Sequence, residues 1–321
     1  MPRSPLPRID GDPGLRKKIL EYCRLAPGEI WEDPVKGHRV GIIDATDSSS
    51  VEGLCANTAV NLVINDPPYN FTVGKRRSNQ LFSKHLSDYM SFCRSWVTSS
   101  LNIMAENSYL YAWMGADQKE GFQPLPDFMV LMRGFSKLRS KSFITLRNQR
   151  GFGTQRNWMS LRQELLCYQK GNPPFVVRYT GIPKILKGYY KKINGTSLEN
   201  IERSKSKNIR PGNVWIDIQQ VFYRLKENVP GAYAQKPLSA VERIIQSSSL
   251  PEQTVADLFS HSGTTLLGCE RLDRRCITAD IDPVFAELTI RRLERYRRTG
   301  VTGWQWENPF PEIGEYDQTH S

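Results

Sequence analysis

Residues 254–280, TVADLFSHSGTTLLGCERLDRRCITAD, contain the pattern that decides the fold. Thr254–Leu258 is a short, mostly apolar run that leads into a turn of small residues, which predicts a buried strand. Thr265–Arg271 predicts a helix, and Arg275–Ala279 predicts a second strand that ends at Asp280. A strand, a helix and a second parallel strand form the unit from which open α/β sheets are built.

The same alternation extends over most of the chain. Further strands are predicted at Arg39–Ile43, Asn61–Asn65, Ser108–Trp113, Ser142–Leu146 and Glu164–Tyr168. Apolar residues at helical spacing predict helices at Leu15–Leu25, Leu86–Met104, Pro237–Ser247 and Pro283–Arg297. We therefore expect a mostly parallel sheet with helices on both faces, and ligands of such sheets bind beyond the carboxyl ends of the strands.

One chemical motif, Asn65-Asp66-Pro67-Pro68-Tyr69-Asn70, follows a predicted strand. The two prolines fix the backbone and supply no N–H donors, so the chain leaves the sheet along a stiff path. This path holds the Asp66 carboxylate, the Pro67 carbonyl and the Tyr69 ring close together. Two acceptors and an aromatic face suit the amine of an extruded base. The alternative is an ordinary strand-ending turn with a packed tyrosine.

A second motif, Asp257-Leu258-Phe259-Ser260-His261-Ser262-Gly263-Thr264, joins the strand and helix of the opening segment. Small residues at such a turn allow a ligand to approach the backbone closely. Asp280 follows Gly263 by seventeen residues, at the end of the next strand, where an acid can hold ribose hydroxyls. The pattern predicts a nucleoside cofactor, and the alternative is plain packing of a strand–helix–strand unit.

Charge points to a polyanionic partner. The chain of 321 residues has a net charge of +11 and a pI of 9.4. The segment between residues 183 and 211 contains two acidic residues, Glu199 and Glu202. It contains eight basic residues: Lys184, Lys187, Lys191, Lys192, Arg203, Lys205, Lys207 and Arg210. A loop-rich basic segment with aromatic residues is a candidate DNA-contacting surface, because neutralised phosphates release counterions. A solvated linker is the alternative.

Other classes of protein are disfavoured. No stretch approaches the roughly 18–20 apolar residues that a membrane span needs, and the first residues contain no apolar segment of a secretory signal. The six cysteines form no C-x-x-C pair and the four histidines lie far apart, so no metal site is expected. We expect a cytoplasmic protein that does not bind a membrane.

Together these segments resemble the DNA amino-methyltransferases of the permuted β class. In that family a D-P-P-Y motif precedes the target-recognition region, and an F-x-G-x-G motif lies near the C-terminus. Residues 151–153, 162–171 and 235–245 are similar to further segments of the family. The resemblance covers Arg39 to Arg297 and implies a Rossmann-like methyltransferase fold with a loop-rich target-recognition insertion.

The resemblance also implies a division of the chain. Residues 1–37 would form an N-terminal arm outside the core, and residues 301–321 a C-terminal tail. Residues 38–172 would form the catalytic half of the methyltransferase domain, and residues 233–300 the cofactor-binding half. The target-recognition insertion would occupy residues 173–232.

Site residues follow from the matched motifs. The resemblance implies S-adenosyl-L-methionine as cofactor and a catalytic turn formed by Asp66, Pro67, Pro68 and Tyr69. It assigns cofactor binding to Asp44, Lys236, Asp257, Phe259, Ser262, Gly263, Thr264 and Asp280. One departure is His261, which stands where the family has glycine. Its side chain would crowd the cofactor if the turn needs a positive φ, or would point outwards.

The implied activity is methylation of the N6 amine of a flipped-out adenine in double-stranded DNA. Cytosine N4 methylation, methylation of an RNA amine and DNA binding without a cofactor are alternatives. No cysteine lies in a matching catalytic motif, which disfavours cytosine C5 methylation. A cognate restriction endonuclease and a homodimer are further expectations.

Overall fold

The computed structural model describes residues 6–69, 86–115, 124–152, 158–183, 190–199 and 206–314. Its strands are β1 (Ile30–Glu32), β2 (Arg39–Ile42), β3 (Val60–Asn65), β4 (Met104–Met114), β5 (Arg139–Phe152), β6 (Ser160–Lys170), β7 (Tyr190–Ile193), β8 (Thr196–Glu199), β9 (Val214–Trp215), β10 (Thr254–Asp257) and β11 (Arg275–Asp280). Its helices are α1 (Pro13–Leu20), α2 (Ser48–Cys55), α3 (Leu86–Ile103), α4 (Pro124–Met132), α5 (Leu238–Ser248), α6 (Thr264–Arg271) and α7 (Pro283–Thr299).

A nine-stranded sheet organises the described chain, in the order β1-β2-β11-β10-β3-β4-β6-β5-β9. The five consecutive strands from β2 to β4 are parallel. β6 runs antiparallel between β4 and β5, and β1 is an antiparallel edge strand. The predicted mostly parallel α/β sheet is therefore confirmed.

Two apolar layers sandwich this sheet because side chains of a strand alternate between its faces. In β4, Tyr109, Tyr111 and Trp113 pack against α5, α6 and α7, whereas Leu110 and Ala112 pack against α2, α3 and α4. All five residues are at most 3% exposed. The continuous apolar run in β4 thus reflects a strand that is covered on both faces.

The expectation that the N-terminal residues lie outside the core is wrong. Leu6, Ile9, Leu15 and Ile19 are at most 1% exposed and form a third apolar cluster with α7 and with Phe310 from the C-terminal segment. Ion pairs from Arg16 and Arg24 of the N-terminal segment to Asp282 and Glu287 of α7 fix the contact. Proline and charge dominate the composition of this segment, but four of its apolar residues are buried in this cluster beside α7.

Some elements carried no clear sequence signal. Strand β5 continues six residues beyond the predicted end at Leu146, through polar residues that pair with β6. The expected loop-rich insertion contains the short β7–β8 hairpin and also supplies β9, which extends the main sheet beside β5. Among the described helices, none is long and apolar enough to cross a membrane.

Candidate active site

Three neighbouring strands bring the two sequence motifs to one edge of the sheet. β3 ends at Asn65 and leads into residues 66–69, β10 leads into residues 258–263, and β11 ends at Asp280. Because β11, β10 and β3 are adjacent and parallel, their carboxyl ends lie side by side. Asn65 ties two of them together, since its amide oxygen accepts a hydrogen bond from the Leu258 N–H at 3.0 Å. We call this edge the catalytic edge.

The Asp66 carboxylate is held from two sides. The Tyr69 hydroxyl donates a hydrogen bond to Oδ1 at 2.7 Å, and the Lys236 ammonium donates one to Oδ2 at 2.6 Å. Asp66 is about one quarter exposed, whereas Lys236 is only 8% exposed. A carboxylate offers about four acceptor positions, so these two bonds fix its orientation and leave acceptor capacity free.

Tyr69 and Lys236 also contact each other. The Lys236 Nζ atom lies 5.2 Å from the centre of the Tyr69 ring and 5.3 Å from the Trp113 ring, in the range of a cation–π interaction. Burial, together with the charge of Asp66, raises the pKa of Tyr69 well above its ordinary value. The phenol therefore stays protonated and acts as a donor to Asp66.

A pocket opens at the catalytic edge beside Asp66. Its lining includes six of the predicted site residues: Asp66, Lys236, Asp257, Phe259, Ser262 and Thr264. Phe259 packs edge-on against Trp96, with ring centres 5.9 Å apart, and so joins the pocket wall to the core. The structure thus brings Asp66 of the first motif and most of the second motif, which lie about 190 residues apart in sequence, to a single cavity.

Two acids lie in or beside this pocket. Burial raises the pKa of both the Asp257 and the Asp280 carboxyls to about 7. Asp257 Oδ1 accepts a hydrogen bond from the Phe259 N–H at 3.0 Å. Asp280 accepts bonds from the backbone N–H groups of His261 and Asp282 at 2.9 and 3.0 Å. Each acid therefore braces the turn that follows β10 or β11 and keeps an ionisable group at the cavity.

The turn after β10 adopts left-handed backbone at two positions. His261 has φ 45° and Gly263 has φ 71°. A Cβ atom at Gly263 would lie 2.9 Å from the Thr289 Cα atom, so only glycine fits there. The His261 ring packs on the Phe285 ring at 4.7 Å, and burial lowers the pKa of His261 to about 4. The histidine thus accepts the positive φ, packs towards α7 and is neutral at neutral pH.

Arg292 is a site-supporting residue that the sequence did not reveal. It is fully buried on α7 and donates hydrogen bonds to the Ser262 carbonyl at 2.7 Å and the Thr264 hydroxyl at 3.0 Å. It also bonds the carbonyls of Thr302 and Glu227. Its spacing was the one available sequence signal. Arg292 follows Leu288, which was predicted to face inwards, by one helical turn, so the two side chains lie on the same face of α7.

The segment before α5 positions Lys236. The Gln235 amide bonds the backbone of Val229 and Glu227 at 3.1 and 2.8 Å. The Glu227 carboxylate accepts the Leu238 N–H at 2.9 Å at the start of α5. This double brace fixes the backbone on both sides of Lys236, which aims the long side chain at Asp66.

Six predicted site residues do not line the pocket: Asp44, Pro67, Pro68, Tyr69, Gly263 and Asp280. Asp44 is the most exposed case among the acids. It follows β2, is exposed, and its carboxylate accepts bonds from the Thr46 N–H and hydroxyl, both at 2.8 Å. It is not among the residues that line the pocket. A part in cofactor binding stays a prediction for Asp44.

Six of the eight basic residues predicted to contact DNA, and both opposing acids, have side chains outside the described part of the structure. Lys184, Lys187, Arg203 and Lys205 lie outside the described residues, as does Glu202, and only the backbone is described for Lys191, Lys192 and Glu199. Lys207 and Arg210 lie within the described chain, on the stretch before β9. Target recognition by residues 173–232 stays a prediction.

The fold and site define a protein of the Rossmann-like α/β class with a ligand pocket at the carboxyl edge of its sheet. A profile of the N6/N4 DNA methylase family matches residues 60–291, which include both sequence motifs. The chain therefore belongs to this family, the S-adenosylmethionine-dependent amino-methyltransferases of DNA.

Curated relatives agree with this family, and a solved structure agrees with the fold. The type II methyltransferase M.HpaI of Haemophilus parainfluenzae is 25% identical over 74% of this chain and 68% of its own length. The DNA adenine methyltransferase YhdJ of Escherichia coli is 24% identical over 74% of this chain and 76% of its own. The cytosine-N4-specific PvuII DNA methyltransferase has a similar fold, with a TM-score of 0.54 and 16% identity over 78% of this chain and 84% of that chain.

The chemistry of the residues at this cavity suits the cofactor of this family, although the cavity itself, about 20 Å³, holds little more than one water molecule. S-adenosylmethionine presents ribose hydroxyls, a carboxylate and a flat adenine ring. The Asp280 carboxylate can accept hydrogen bonds from the ribose hydroxyls, and the Lys236 ammonium can pair with the cofactor carboxylate. The Phe259 ring supplies an aromatic wall for the adenine. The neutral His261 adds no positive charge to a cavity that must accept a cationic sulfonium.

Proposed function

We propose that this DNA methyltransferase methylates the N6 amine of an adenine that is flipped out of double-stranded DNA. The observation that carries the proposal is the Asp66 carboxylate, which Lys236 and Tyr69 orient at the mouth of the pocket. An oriented acceptor beside a cofactor cavity matches what an exocyclic amine needs, because its nitrogen lone pair is delocalised into the ring.

Residues 66–69 would act on the amine directly. The free acceptor position of Asp66 and the Pro67 carbonyl would each accept one amine hydrogen, which favours a pyramidal nitrogen with a localised lone pair. Tyr69 would stack on the extruded base. When bound, S-adenosylmethionine would supply an activated methyl group to the nitrogen, with a neutral thioether as the leaving group. The nitrogen then gives up one proton, which Asp66 accepts and passes to solvent.

The remaining site residues would position the cofactor and take no part in the bond changes. Lys236 would hold the cofactor carboxylate, and Asp280 would hold the ribose while it braces the turn after β10. Phe259 would pack on the adenine of the cofactor. Most of the rate acceleration would therefore come from orientation and electrostatics, without a covalent intermediate on the protein.

Adenine is chosen over cytosine because aspartate begins the D-P-P-Y motif, where serine is frequent in enzymes that act on cytosine N4. YhdJ, named an adenine methyltransferase, is among the relatives. The test is to treat DNA from a methylation-free host with the protein and cofactor, digest it and identify the nucleosides by mass spectrometry. N6-methyladenine is expected, and N4-methylcytosine without N6-methyladenine would refute the choice of base.

Two further experiments address the other candidate activities. Competition between duplex DNA and single-stranded RNA tests whether RNA is the substrate. Calorimetry with S-adenosylmethionine tests for a DNA-binding protein that lacks its cofactor, and the packing of His261 on Phe285 favours binding. We also propose that the protein forms a homodimer, lies in the cytoplasm and acts alongside a cognate restriction endonuclease. Light scattering of the purified protein tests the dimer.

A further inference from the structure

Two carboxamide side chains near the catalytic edge have buried oxygen atoms without a hydrogen-bond partner. Asn148 in β5 is 6% exposed, and Gln163 in β6 is partly buried. Within the described chain, neither the Oδ1 atom of Asn148 nor the Oε1 atom of Gln163 accepts a hydrogen bond. Buried polar atoms are paired in the large majority of cases, so such exceptions indicate a partner that binds there. Neither residue is among the predicted catalytic or cofactor-binding residues.

The register of the sheet places Gln163 just past the catalytic edge. Asn65 at the end of β3 pairs with Ala112 of β4, and the next residue of β4, Trp113, pairs with Leu165 of β6. Because β6 is antiparallel to β4, Gln163 lies two residues further past the edge than Leu165. At about 3.3 Å per residue Gln163 is about 10 Å beyond the end of β3, and two strand spacings place it about 10 Å to the side. Gln163 and the turn that follows β3 therefore lie on either side of the end of β4.

Gln163 also lies on the face of the sheet that carries Tyr69 and Trp113. Side chains alternate along a strand, so Gln163 shares its face with Leu165. Leu165 and Trp113 belong to one apolar layer, and the Tyr69 ring packs against that layer. Trp113 also lines the pocket beside Asp66. Trp113 thus lies between the turn that presents Asp66 and the Gln163 carboxamide.

An adenine held at this edge has an acceptor that matches Gln163. With Tyr69 stacked on the base and with Asp66 and the Pro67 carbonyl accepting the amine hydrogens, the ring nitrogen beside the amine, N1, still lacks a donor. A carboxamide carries two N–H donors and an acceptor oxygen on one planar group, which turns about its terminal bond. Gln163 can therefore present a donor to N1. Cytosine has an equivalent acceptor, N3, beside its amine.

We propose that the Gln163 carboxamide donates a hydrogen bond to the ring nitrogen beside the amine, N1 of the extruded adenine. This inference rests on the proposed function, since it assumes that an extruded base presents its amine to Asp66. Stacking on Tyr69 leaves a base free to turn in the plane of its ring, and a bond at N1 removes this freedom. Asn148 lies diagonally beside Gln163, since Leu146 pairs with Gln163, and would line the same side of the base.

Methyl transfer to three duplexes tests the contact. They carry adenine, 1-deazaadenine or 7-deazaadenine at the target position, which mapping of methylated positions in host DNA provides. Each deaza base keeps the amine and replaces one ring nitrogen with C–H. The target base stands opposite an abasic site in every duplex, so that none is paired and only contacts in the pocket differ.

The wild type should lose about tenfold in kcat/KM on 1-deazaadenine, the effect of one hydrogen bond, and change little on 7-deazaadenine. Gln163→Leu should lose about tenfold on adenine and nothing further on 1-deazaadenine, because the variant and the analogue remove the same bond. The variant and the wild type should therefore methylate 1-deazaadenine at similar rates.

Gln169→Leu is the matched control. Gln169 lies on the same strand and face as Gln163, is 7% exposed and also has a buried oxygen without a partner. It pairs with Tyr109 near the start of β4, about 20 Å from Gln163 along the strand. Gln169→Leu should discriminate among the three duplexes as the wild type does.

Two results would overturn the proposal. One is equal rates of the wild type on adenine and 1-deazaadenine, a comparison that does not depend on the folding of any variant. The other is a Gln163→Leu penalty of the same size on all three duplexes, which a purely structural role would produce.

The mapping step separates this inference from the proposed function. N4-methylcytosine would refute the choice of base and not the contact, which 3-deazacytosine then tests at N3 in the same manner. An absence of any base methylation would refute the proposed function and this inference together. N6-methyladenine with equal rates on the adenine and 1-deazaadenine duplexes would refute this inference alone.

Discussion

Replacement of Lys236 by methionine is the most informative single perturbation of this site. Methionine keeps an unbranched stem of similar length but removes the ammonium that lies 2.6 Å from Asp66 Oδ2. Because Lys236 is 8% exposed, water replaces the lost hydrogen bond poorly. We expect the substitution to free the Asp66 carboxylate and to remove the proposed anchor of the cofactor carboxylate at the same time.

The size of the effect follows from the geometry. At an effective dielectric constant of about 20, two unit charges 2.6 Å apart attract each other by about 6 kcal/mol. The cost of desolvating both ions offsets much of this attraction, so the net loss should be close to that of a hydrogen bond between charged groups, about 1.5–3 kcal/mol. The same loss at the cofactor carboxylate corresponds to affinity that is about 10- to 100-fold weaker.

Calorimetry with two ligands distinguishes the two roles of Lys236. S-adenosylmethionine carries the carboxylate, and 5′-methylthioadenosine lacks it. Lys236→Met should weaken binding of the first by the amount given above and leave binding of the second nearly unchanged. Lys17→Met, an exposed lysine on α1, is the control and should bind both as the wild type does. Unchanged or tighter binding of S-adenosylmethionine by Lys236→Met would refute the anchoring role, since the freed Asp66 charge would then dominate by attracting the sulfonium.

Three further predictions test other parts of the site. Asp66→Ala should reduce methyl transfer by at least about a thousandfold and change cofactor affinity little; measurable turnover near the wild-type rate would show that the catalytic assignment is wrong. Asp257→Asn should gain stability relative to the wild type as the pH rises from about 4 to about 7. Burial raises the pKa of Asp257 to about 7, so in this range the carboxyl is ionised in the unfolded wild type but still protonated in the folded protein, which favours unfolding; an unchanged difference in melting temperature across that range would contradict this. Arg292→Met should destabilise the protein by about 2–4 kcal/mol, because the buried Ser262 carbonyl and the half-buried Thr302 carbonyl lose their donor and the Glu227 carbonyl loses one of two. The exposed Arg298→Met on the same helix is its control in thermal unfolding, and equal melting temperatures would count against the proposed brace.

The sheet strands of the catalytic edge were predictable because each carries a local apolar signal. Asn61–Asn65 and Thr254–Leu258 match β3 and β10 within one residue. β5 was predicted too short because Arg147 and the polar residues after it have no apolar periodicity, and pairing with β6 alone holds them in a strand. β9 has only two residues, too few for any periodic pattern.

Burial of the N-terminal residues escaped prediction for a related reason. Leu6, Ile9, Leu15 and Ile19 are separated by proline and charged residues, and they form a core with residues distant in sequence, including Val284 and Leu288 of α7 and Phe310. The sequence contains both halves of this cluster but no local pattern that joins them. Composition is a poor guide to burial where a short segment packs on a distant helix.

The sequence by itself determined the class of fold and the stiff turn that presents Asp66, because prolines and apolar strands act locally on the backbone. Only the tertiary structure decided what surrounds that carboxylate. Lys236 is 170 residues away in sequence and reaches Asp66 because β10, which follows α5, lies directly beside β3. Arg292 reaches the turn after β10 in the same manner, from a helix that follows β11. The turn at residues 66–69 is thus encoded by neighbouring residues, whereas its charge environment depends on strand order.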